Sequence, residues 1–395
     1  MPFNFTTIPP LSLYIHIPWC VRKCPYCDFN SHAVRGEIPE QEYVSALVAD
    51  LEQDLPLVWG RTVESVFIGG GTPSLCSPDA IERLLGDIRA RLPLRPAAEI
   101  TLEANPGTVD RERFAGFRKA GVNRLSLGIQ SFDPILLERI GRIHDGQQAH
   151  AAIDAARSAG FDNLNLDLMF GLPGQTREQA LADLGTAAGQ EPAHISWYEL
   201  TIEPNTWFYR HPPQRPDDEQ LWEMQQQGNE LLHAAGYRRY EVSAWARPGR
   251  QCRHNRNYWE FGDYLGIGAG AHGKLTDAVA QSITRRSKIR HPQRYLEQVR
   301  DGQRLANTAT LSSEDAVLEF AMNALRRDDG FTVTAFSTAT GLPWSTIEPA
   351  VTAAIETGLL VIDDSRIHTT PRGQRYLDEL LQAWVPESVD NARTG

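Results

Sequence analysis

The sequence lacks the features that would place it in a membrane, outside the cell or on nucleic acid. No run among its 395 residues approaches the roughly 18 consecutive apolar residues of a transmembrane helix. The first ten residues, MPFNFTTIPP, lack the basic and apolar regions of a signal peptide. A formal net charge of −11 argues against the basic face that nucleic-acid binding requires. We therefore expect a cytoplasmic protein that binds no nucleic acid and contacts a membrane at most peripherally.

Cysteine is also scarce, but it is unevenly distributed. Three of the five cysteines, Cys20, Cys24 and Cys27, fall within eight positions. So few cysteines argue against a disulfide framework, whereas a cluster of three is typical of thiolates that bind metal in a reducing compartment. The C-x3-C-x2-C spacing follows an apolar strand pattern, which places the cysteines on a loop. On a loop three sulfurs can face one centre, while in an extended strand alternate side chains point to opposite sides.

Three kinds of site are compatible with this cluster of cysteines. A closed structural zinc site needs four ligands, and the nearest fourth candidate is His32. Buried structural cysteines are the second alternative, although Arg22 and Lys23 beside them are unusual in a core. A [4Fe-4S] cluster held by three thiolates is the third, and it leaves one iron without a protein ligand. The spacing favours the iron–sulfur cluster. A barrel enzyme stabilised by zinc stays open as the alternative.

Strand and helix patterns alternate through the first half of the chain. Apolar strand patterns cover residues 11–18, 65–71, 99–106, 124–131, 163–173 and 194–200. Helical patterns separate them at residues 40–56, 78–92, 110–120, 147–160 and 176–190. This alternation predicts a parallel sheet. Each strand ends in a polar or glycine feature, which favours a curved sheet whose carboxyl ends converge on one rim over a doubly wound sheet. The predicted fold class is α/β, with a partial (β/α)6 TIM-like barrel.

The middle of the chain, residues 206–305, has a less regular pattern. A proline-rich turn, HPPQRPDD, precedes a helical pattern at residues 219–236. A long run rich in glycine and aromatic residues follows, CRHNRNYWEFGDYLGIGAGAHG. Long connections of this kind are uncommon in compact domains unless they carry a functional site. We therefore expect part of a site in this segment.

The end of the chain has the pattern of a small separate unit. Helical patterns and a hairpin pattern, GLLVIDDSRIHTT, predict a winged-helix-like domain, with the helices at 312–327, 332–340, 344–357 and 371–384. Residues 310–395 contain 6 Arg, no Lys and 13 Asp plus Glu, so their net charge of −7 argues against a role in reading DNA. We expect this unit to pack against the barrel or to cover it. The predicted domains are 1–205, 206–305 and 306–395.

The cysteine motif resembles the signature of a known superfamily. C-x3-C-x2-C with an aromatic residue before the last cysteine is similar to the motif of radical S-adenosylmethionine (SAM) proteins. The resemblance implies a barrel of the radical SAM type, with a [4Fe-4S] cluster on Cys20, Cys24 and Cys27. It also implies that the fourth iron chelates the amino and carboxylate groups of SAM. An electron from the reduced cluster would then split the sulfonium bond and give methionine and a 5′-deoxyadenosyl radical.

Motifs at the other strand ends narrow the resemblance. The segments LYIHIPWC, GGGTPS, LEANPGT, GVNRLSLGIQSF, GRIH and NLDLMFGLPGQT resemble the oxygen-independent coproporphyrinogen III oxidases over residues 11–300. Their activity is radical decarboxylation of the propionates of a porphyrinogen to give protoporphyrinogen IX. By motif match, the resemblance implies that the residues in contact with SAM are Tyr14, Tyr26, Gly70, Gly71, Thr72, Glu103, Gln130, Arg142 and Asp167.

The chain departs from the oxidases at two places. The oxidases carry a fourth cysteine two positions after the third, where this chain has Asp28 and Phe29. They also have a long segment before the first strand, which here begins at residue 11. In addition, HNRNYW at residues 254–259 matches the H-N-x-x-Y-W motif of the oxidase-like HemW family of heme chaperones. CPYCDFNSHA and WYELTIEPNT are also similar to that family, and the resemblance covers the whole chain.

The resemblance to heme chaperones implies partners and a heme site. It implies heme binding, heme transfer to acceptor apoproteins such as respiratory enzymes, and no oxidase activity. A heme donor and a second copy of the chain are the further partners to test. His254 is the candidate heme contact, because a neutral imidazole can ligate iron. Cys252 and His272 are rival ligands.

The HNRNYW motif also has a structural interpretation. His254 and Asn255 could hydrogen-bond the segment to the barrel, with Tyr258 and Trp259 packed in a core. The sequence alone does not decide between this interpretation and a heme contact. The coproporphyrinogen III oxidase activity likewise stays open as the alternative function.

Overall fold

The computed structural model describes residues 2–385. Its strands are β1 (Leu11–Ile17), β2 (Trp19–Cys20), β3 (His32–Ala33), β4 (Val63–Gly70), β5 (Leu94–Ala104), β6 (Arg124–Gln130), β7 (Leu164–Phe170), β8 (His194–Glu199), β9 (Arg238–Glu241), β10 (Ala244–Ala246), β11 (Asp263–Ile267), β12 (His272–Asp277), β13 (Ser282–Lys288), β14 (Leu305–Thr310), β15 (Phe331–Thr332), β16 (Leu360–Asp363) and β17 (Arg366–Thr369). The outer ends of the predicted first and third domains, residue 1 and residues 386–395, lie outside the described residues.

Helices connect most of these strands. They are α1 (Glu40–Asp54), α2 (Pro78–Arg89), α3 (Arg111–Ala120), α4 (Pro134–Arg139), α5 (Gly146–Ser158), α6 (Arg177–Gly189), α7 (Trp207–Arg210), α8 (Asp218–Ala234), α9 (Arg253–Trp259), α10 (Pro292–Gln298), α11 (Ser313–Ala324), α12 (Val333–Thr340), α13 (Glu348–Glu356), α14 (Pro371–Arg375) and α15 (Leu377–Gln382). Within residues 2–385, no helix combines the length and the apolar character needed to cross a bilayer.

The six predicted strands are confirmed, and they form the parallel centre of one large sheet. β1, β4, β5, β6, β7 and β8 pair in that order, all parallel. The predicted helices lie between them, and α2, α5 and α6 begin at the side-chain caps Ser77, Asp145 and Thr176. Each helix returns the chain to the amino end of the next strand, so all six carboxyl ends lie on one rim.

Burial on both faces explains why these strands were predicted. Every residue of β6 is buried, and β1 and β7 each contain one half-buried residue among buried neighbours. The strands of a parallel sheet that is buried on both faces have nearly continuous apolar sequences. The main core therefore lies between the barrel strands and helices α1, α2, α3, α5 and α6.

The sheet continues beyond the six strands into the segment that the sequence left irregular. β11 pairs parallel with β1, and β12, β13 and β14 extend this side as antiparallel strands. On the other side β10 and β9 follow β8. The sequence pattern missed these strands because they are short or polar: β13 reads SITRRSK, and β14 reads LANTAT with mostly exposed residues. Antiparallel strands with one solvated face tolerate such residues.

The small unit at the end of the chain has the predicted order of elements. Helices α11, α12 and α13 precede the hairpin of β16 and β17, and β15 completes a three-stranded sheet. Its core centres on Phe320, Phe331 and Phe336. The same core includes Phe261 and Ile283 from the extended sheet. This unit therefore packs against the side of the sheet formed by β11 to β14.

A buried ion cluster attaches α1 to the extended sheet. The Lys288 ammonium lies 2.5 Å from an oxygen of Asp50 and 2.6 Å from an oxygen of Asp54. The Arg304 guanidinium contacts the same two carboxylates at 2.7 and 2.5 Å. The Tyr295 hydroxyl donates a hydrogen bond to Asp50 at 2.7 Å. Two buried carboxylates are thus balanced by two buried cations, so loss of either partner leaves an uncompensated charge.

Lys288→Met is expected to lower the free energy of unfolding by about 3 kcal/mol or more, because it removes one cation from the buried cluster. Urea denaturation of the purified protein measures the change. Lys119→Met is the matched control, since Lys119 is 78% exposed and 4.0 Å from Glu82. Its loss is expected to be under about 0.5 kcal/mol. Equal effects of the two substitutions would contradict a structural role for the cluster.

Candidate functional site

Two adjoining cavities lie inside the barrel and at its carboxyl rim. The cysteine cavity, of about 240 Å³, is lined by the loop that carries the three clustered cysteines. The barrel cavity, of about 550 Å³, is lined by the strand interiors and by α9. The two share wall residues from β4, β5, β6 and β7, namely Gly70, Glu103, Ser126 and Asp167, and also Phe29. A ligand in one cavity therefore adjoins a ligand in the other.

The cysteine cavity brings together most of the predicted site. The three cysteines share it with eight of the nine residues predicted to contact SAM, which are Tyr26, Gly70, Gly71, Thr72, Glu103, Gln130, Arg142 and Asp167. Tyr14 lies on the wall of the barrel cavity instead, where its hydroxyl is 3.0 Å from Nδ1 of His16. His254 also lines the barrel cavity. The predicted SAM and heme residues thus fall in neighbouring cavities.

The cysteine loop is closed at its ends and attached to the rest of the barrel near β3. β2 pairs parallel with β3, so Trp19 lies opposite His32 and the loop between them is closed. Asn30, two residues before β3, holds the carboxyl end, because its side-chain amide donates to the carbonyls of Ala269 and Arg290 at 2.9 and 2.8 Å. These contacts join the loop to two segments, the one after β11 and the one after β13.

Each thiol in the loop has a polar neighbour. Thr72 Oγ1 lies 3.5 Å from Cys20 Sγ, Arg142 Nη1 lies 3.8 Å from Cys24 Sγ, and Ser31 Oγ lies 3.7 Å from Cys27 Sγ. Burial raises the pKa of the Cys20 and Cys27 thiols, and the hydrogen bonds from Thr72 and Ser31 act in the opposite direction. Donors aimed at sulfur stabilise a thiolate, which is the form that binds metal.

The arrangement of the cysteines fits a cluster better than a single ion. Among residues 2–385, no three His, Cys, Asp or Glu side chains are placed to hold one metal ion. His32, the candidate fourth zinc ligand, is not on the wall of the cysteine cavity, and its ring faces His291 with centroids 5.8 Å apart. A [4Fe-4S] cluster attaches each thiolate to a different iron, so its ligands need not converge on one point. The donor set therefore suits a cluster held by three thiolates.

Glycine at the end of β4 allows the close approach of the cysteine loop. A Cβ on Gly71 would lie 2.4 Å from the Trp19 carbonyl oxygen, and one on Gly70 would lie 2.5 Å from the His16 ring. The amides are also used within the protein: Thr72 N–H donates to Trp19 O at 2.7 Å, and Gly70 N–H donates to Glu103 at 3.0 Å. The glycines are thus required by packing in addition to any contact with a ligand.

Two carboxyl groups give the wall between the cavities its chemical character. Burial and the neighbouring Asp167 raise the pKa of Glu103 to about 7, although the Gly70 amide opposes the shift. Burial also raises the pKa of Asp167, whose oxygens accept hydrogen bonds from Ser126 at 2.9 Å and Asn165 at 2.8 Å. Two buried acids side by side are relieved by a nearby cation, and Arg124 lowers both pKa values without contact but leaves them above their ordinary range. This wall therefore suits a positively charged group.

Arg142 and Gln130 line the cysteine cavity beside these acids. Arg142 Nη2 donates to Asn105 at 2.7 Å and to the Gly128 carbonyl at 2.6 Å, while its buried Nε has no partner among the described residues. Gln130 has φ +68°, in the left-handed region, at the end of β6. Its side-chain oxygen accepts a hydrogen bond from Tyr198 at 2.8 Å. A non-glycine residue in this region is a feature found at functional sites.

Helix α9, which carries the HNRNYW motif, closes the barrel cavity near the amino ends of the strands. His254 is 1% exposed, and its ring lies 5.1 Å from that of Phe67. Its Nδ1 is 3.0 Å from Ser65 Oγ, and its Nε2 is 2.9 Å from the Tyr258 hydroxyl. Burial and Arg124 lower the pKa of His254 to about 3, so the imidazole is neutral at physiological pH. Both ring nitrogens are hydrogen-bonded, as the structural interpretation of the motif expected.

The rival heme ligands differ in access. Cys252 is fully buried, and burial raises the pKa of its thiol to about 12. Its Sγ lies 3.6 Å from Glu99, and it lines neither cavity. His272 is exposed on the wall of the barrel cavity, and burial of part of its ring lowers its pKa. Of these two, only His272 is placed to meet a ligand.

Comparison with known proteins identifies the family. Residues 14–185 match the radical SAM superfamily, and residues 311–376 match the HemN C-terminal domain. Over 380 residues, 96% of this chain and 99% of the relative, the sequence is 50% identical to the heme chaperone HemW of Escherichia coli (strain K12). The chain belongs to the HemW family. It is also 33% identical to the heme chaperone HemW of Bacillus subtilis (strain 168), over 95% of this chain and 99% of that one.

The fold of this HemW family member is close to that of a solved structure. Coproporphyrinogen III oxidase (HemN) from Escherichia coli superposes with a TM-score of 0.80, over 95% of this chain and 90% of that chain, at 24% identity. The likeness shows a radical SAM barrel followed by a HemN C-terminal domain. The predicted fold class and family are therefore confirmed.

Several polar residues of the HemW family site escaped the sequence analysis. They lie inside the barrel at alternate positions of β6, β7 and β8, and they are Arg124, Ser126, Asn165 and Ser196. The signal was present, because alternate residues of a strand share one face and polar residues on the inner face of a parallel strand are exceptional. Asn30 carried no such signal, since its partners lie 239 and 260 residues away.

Cys20→Ser, Cys24→Ser and Cys27→Ser are each expected to lose iron and sulfide after anaerobic reconstitution, because each removes one of three thiolates. Iron and sulfide analysis with absorption spectra measures the loss. Cys76→Ala is the control, since Cys76 is buried and its thiol has a pKa of about 12, raised by burial. It is expected to keep full iron content. Wild-type protein that carries zinc and no iron would contradict the cluster.

SAM binding to the reconstituted protein is expected to weaken as the pH falls. Glu103, with a pKa of about 7, is mostly ionised above that pH and mostly neutral below it. A drop from about pH 8 to about pH 6 therefore lowers its ionised fraction, and the affinity for a cation, by up to about tenfold. Equilibrium binding of SAM measures this, and Glu103→Gln is expected to flatten the profile. The exposed Glu178→Gln is the control, and an unchanged profile in Glu103→Gln would refute the assignment.

Proposed function

We propose that this member of the HemW family binds heme and passes it to acceptor apoproteins such as respiratory enzymes. One observation carries the proposal: a cavity of about 550 Å³ with aromatic walls adjoins the cysteine cavity. Cavities of about 300–1,000 Å³ are typical of small-molecule sites. Aromatic side chains pack on flat apolar ligands. The 50% identity to a protein named as a heme chaperone supports heme as the ligand.

The cysteine cavity is proposed to hold the other cofactors. Three thiolates would hold a [4Fe-4S] cluster, those of Cys20, Cys24 and Cys27. When bound, the cluster supplies the electron that reduces SAM. The chain itself binds and orients: the Glu103 and Asp167 carboxyls suit the cationic end of SAM, and the Arg142 guanidinium suits its carboxylate. The same role is proposed for the remaining predicted SAM contacts, Tyr14, Tyr26, Gly70, Gly71, Thr72 and Gln130.

His254 is the proposed heme contact. Its imidazole is neutral and lines the barrel cavity, as an iron ligand requires. To ligate iron it must release either Ser65 or Tyr258, both of which are hydroxyls that can turn to other partners. His272 needs no such release, because it is exposed on the same cavity. Iron ligation by His254 thus requires loss of a hydrogen bond, whereas ligation by His272 does not. Substitution of each histidine in turn distinguishes the two possible ligands.

Coproporphyrinogen III oxidase is the second candidate function. The fold shared with HemN and the motifs that resemble the oxidases favour it. Phe29 argues against it, because this residue stands where the oxidases carry a fourth cysteine and it lines both cavities with 59% of its surface exposed. An apolar side chain at this place suits a flat apolar ligand.

We further propose a domain division, a cellular location and additional partners. The division into domains 1–205, 206–305 and 306–395 stays a proposal, as does a location in the cytoplasm with at most peripheral membrane contact. A heme donor and a second copy of the chain are proposed as further partners. No nucleic-acid partner is proposed, because the chain is acidic overall.

Heme titration tests the function and the ligand together. Wild-type protein is expected to bind heme with a shifted absorption spectrum and to release it to an apoprotein acceptor. His254→Ala is expected to change the spectrum and to weaken binding about tenfold or more, because a ligand to iron is lost. His272→Ala is the matched comparison, and it is expected to retain the wild-type spectrum. The reverse pattern would assign the ligand to His272.

The oxidase alternative is tested in the same preparations. Reconstituted protein is incubated with SAM, a reductant and coproporphyrinogen III. No protoporphyrinogen IX is expected at a catalytic rate, and its formation would refute the chaperone assignment.

A further inference from the structure

The barrel cavity contains a buried cation without a partner. Arg124, the first residue of β6, is 2% exposed and lines this cavity. Its guanidinium makes no hydrogen bond and no ion pair within 4.0 Å in the part of the chain that the structure describes, and its Nε is buried without an acceptor. Buried hydrogen-bond donors without acceptors are unfavourable. Such a group is retained where something outside the chain completes it.

Every other buried cation between residues 2 and 385 is paired. The pairs are Lys274 with Asp263, Lys288 with Asp50 and Asp54, Arg304 with the same two aspartates, and Arg327 with Glu260 and Asp329. The half-buried Arg142 makes no ion pair, but its Nη2 donates two hydrogen bonds. Arg124 is the exception. Of the buried Lys and Arg residues that the structure describes, it is the one that lines the barrel cavity.

The acidic groups nearest to Arg124 are bonded elsewhere. Burial lowers the pKa of Arg124, but the nearby Cys252, Glu99 and Asp167 raise it overall, although no carboxylate lies within 4.0 Å of the guanidinium. Glu99 accepts a hydrogen bond from the Arg253 amide at 2.9 Å, and Asp167 accepts one from Ser126 at 2.9 Å. These acids therefore lower the local potential without occupying the guanidinium. Its donors remain free for a carboxylate, which a guanidinium binds in a two-point contact.

We propose that the barrel cavity binds a ligand with a flat apolar body and a carboxylate, and that the carboxylate pairs with Arg124. Tyr14, Phe67 and Tyr258 supply ring walls for the apolar body. The inference rests on the proposed function, under which the carboxylate is a propionate of the porphyrin. Heme and coproporphyrinogen III both carry propionates, so Arg124 has the same role for either ligand.

Blocking the propionates tests the contact from the ligand side. Wild-type protein is titrated with heme and with heme dimethyl ester, whose propionates are methylated and uncharged. We expect wild type to bind heme at least about tenfold more tightly, as a charge-assisted hydrogen bond implies. Arg124→Met is expected to bind both compounds with equal, weakened affinity. Arg177→Met, at an exposed position on α6, is expected to behave as wild type.

Two further measurements separate a ligand contact from a structural role. Ligand-free Arg124→Met is expected to melt near the wild-type temperature, because the substitution breaks no hydrogen bond and no ion pair of the described residues. Arg124→Lys keeps the charge without the two-point geometry, and it is expected to retain part of the preference for heme over its ester.

The outcomes are distinct. A preference for heme that is undiminished in Arg124→Met overturns the inference and leaves the proposed function standing. A melting temperature of ligand-free Arg124→Met that is several degrees lower assigns Arg124 to the structure and overturns it as well. If wild type binds neither compound, the proposed function fails, together with the ligand class named here.

Discussion

Six parallel strands whose carboxyl ends meet on one rim are the constraint on which the rest of the structure depends. Parallel pairing requires a helix between consecutive strands, and these helices cover the outer face and leave the inner face to line the cavities. Cys20 follows β1, Gly70 ends β4, Glu103 lies near the end of β5 and Gln130 ends β6. Residues distant in sequence become neighbours because each follows its own strand to the same edge.

Burial then gives these residues their chemical character. The surrounding protein raises the pKa values of both Glu103 and Asp167, and that of Glu103 reaches about 7. The same burial keeps the imidazole of His254 neutral. A positively charged ligand group is therefore favoured beside Glu103 and Asp167. Beside His254 the interior disfavours a positive charge.

How far the sequence could be interpreted depended on where each residue's partners lie. The strands β1 and β4 to β8 were predictable because their own apolar residues define them. β13 was not, since its arginines Arg285 and Arg286 are satisfied by Glu319 and Asp54, on elements distant in the chain. Motif resemblance located the cysteines and the carboxylates. Arg124 could not be assigned in the same way, because the absence of an ion pair is a property of the folded chain alone.

The contacts of Asn30 have a consequence for the order in which the protein matures. Asn30 joins the cysteine loop to the carbonyls of Ala269 and Arg290, 239 and 260 residues later in the chain. During synthesis the thiols are therefore made early, but the loop that holds them reaches its final shape only after residue 290 has emerged. A chain shortened before β12 would lack Arg290, so the cysteine loop would keep the β2–β3 pairing and the Ala269 contact but lose its second Asn30 anchor.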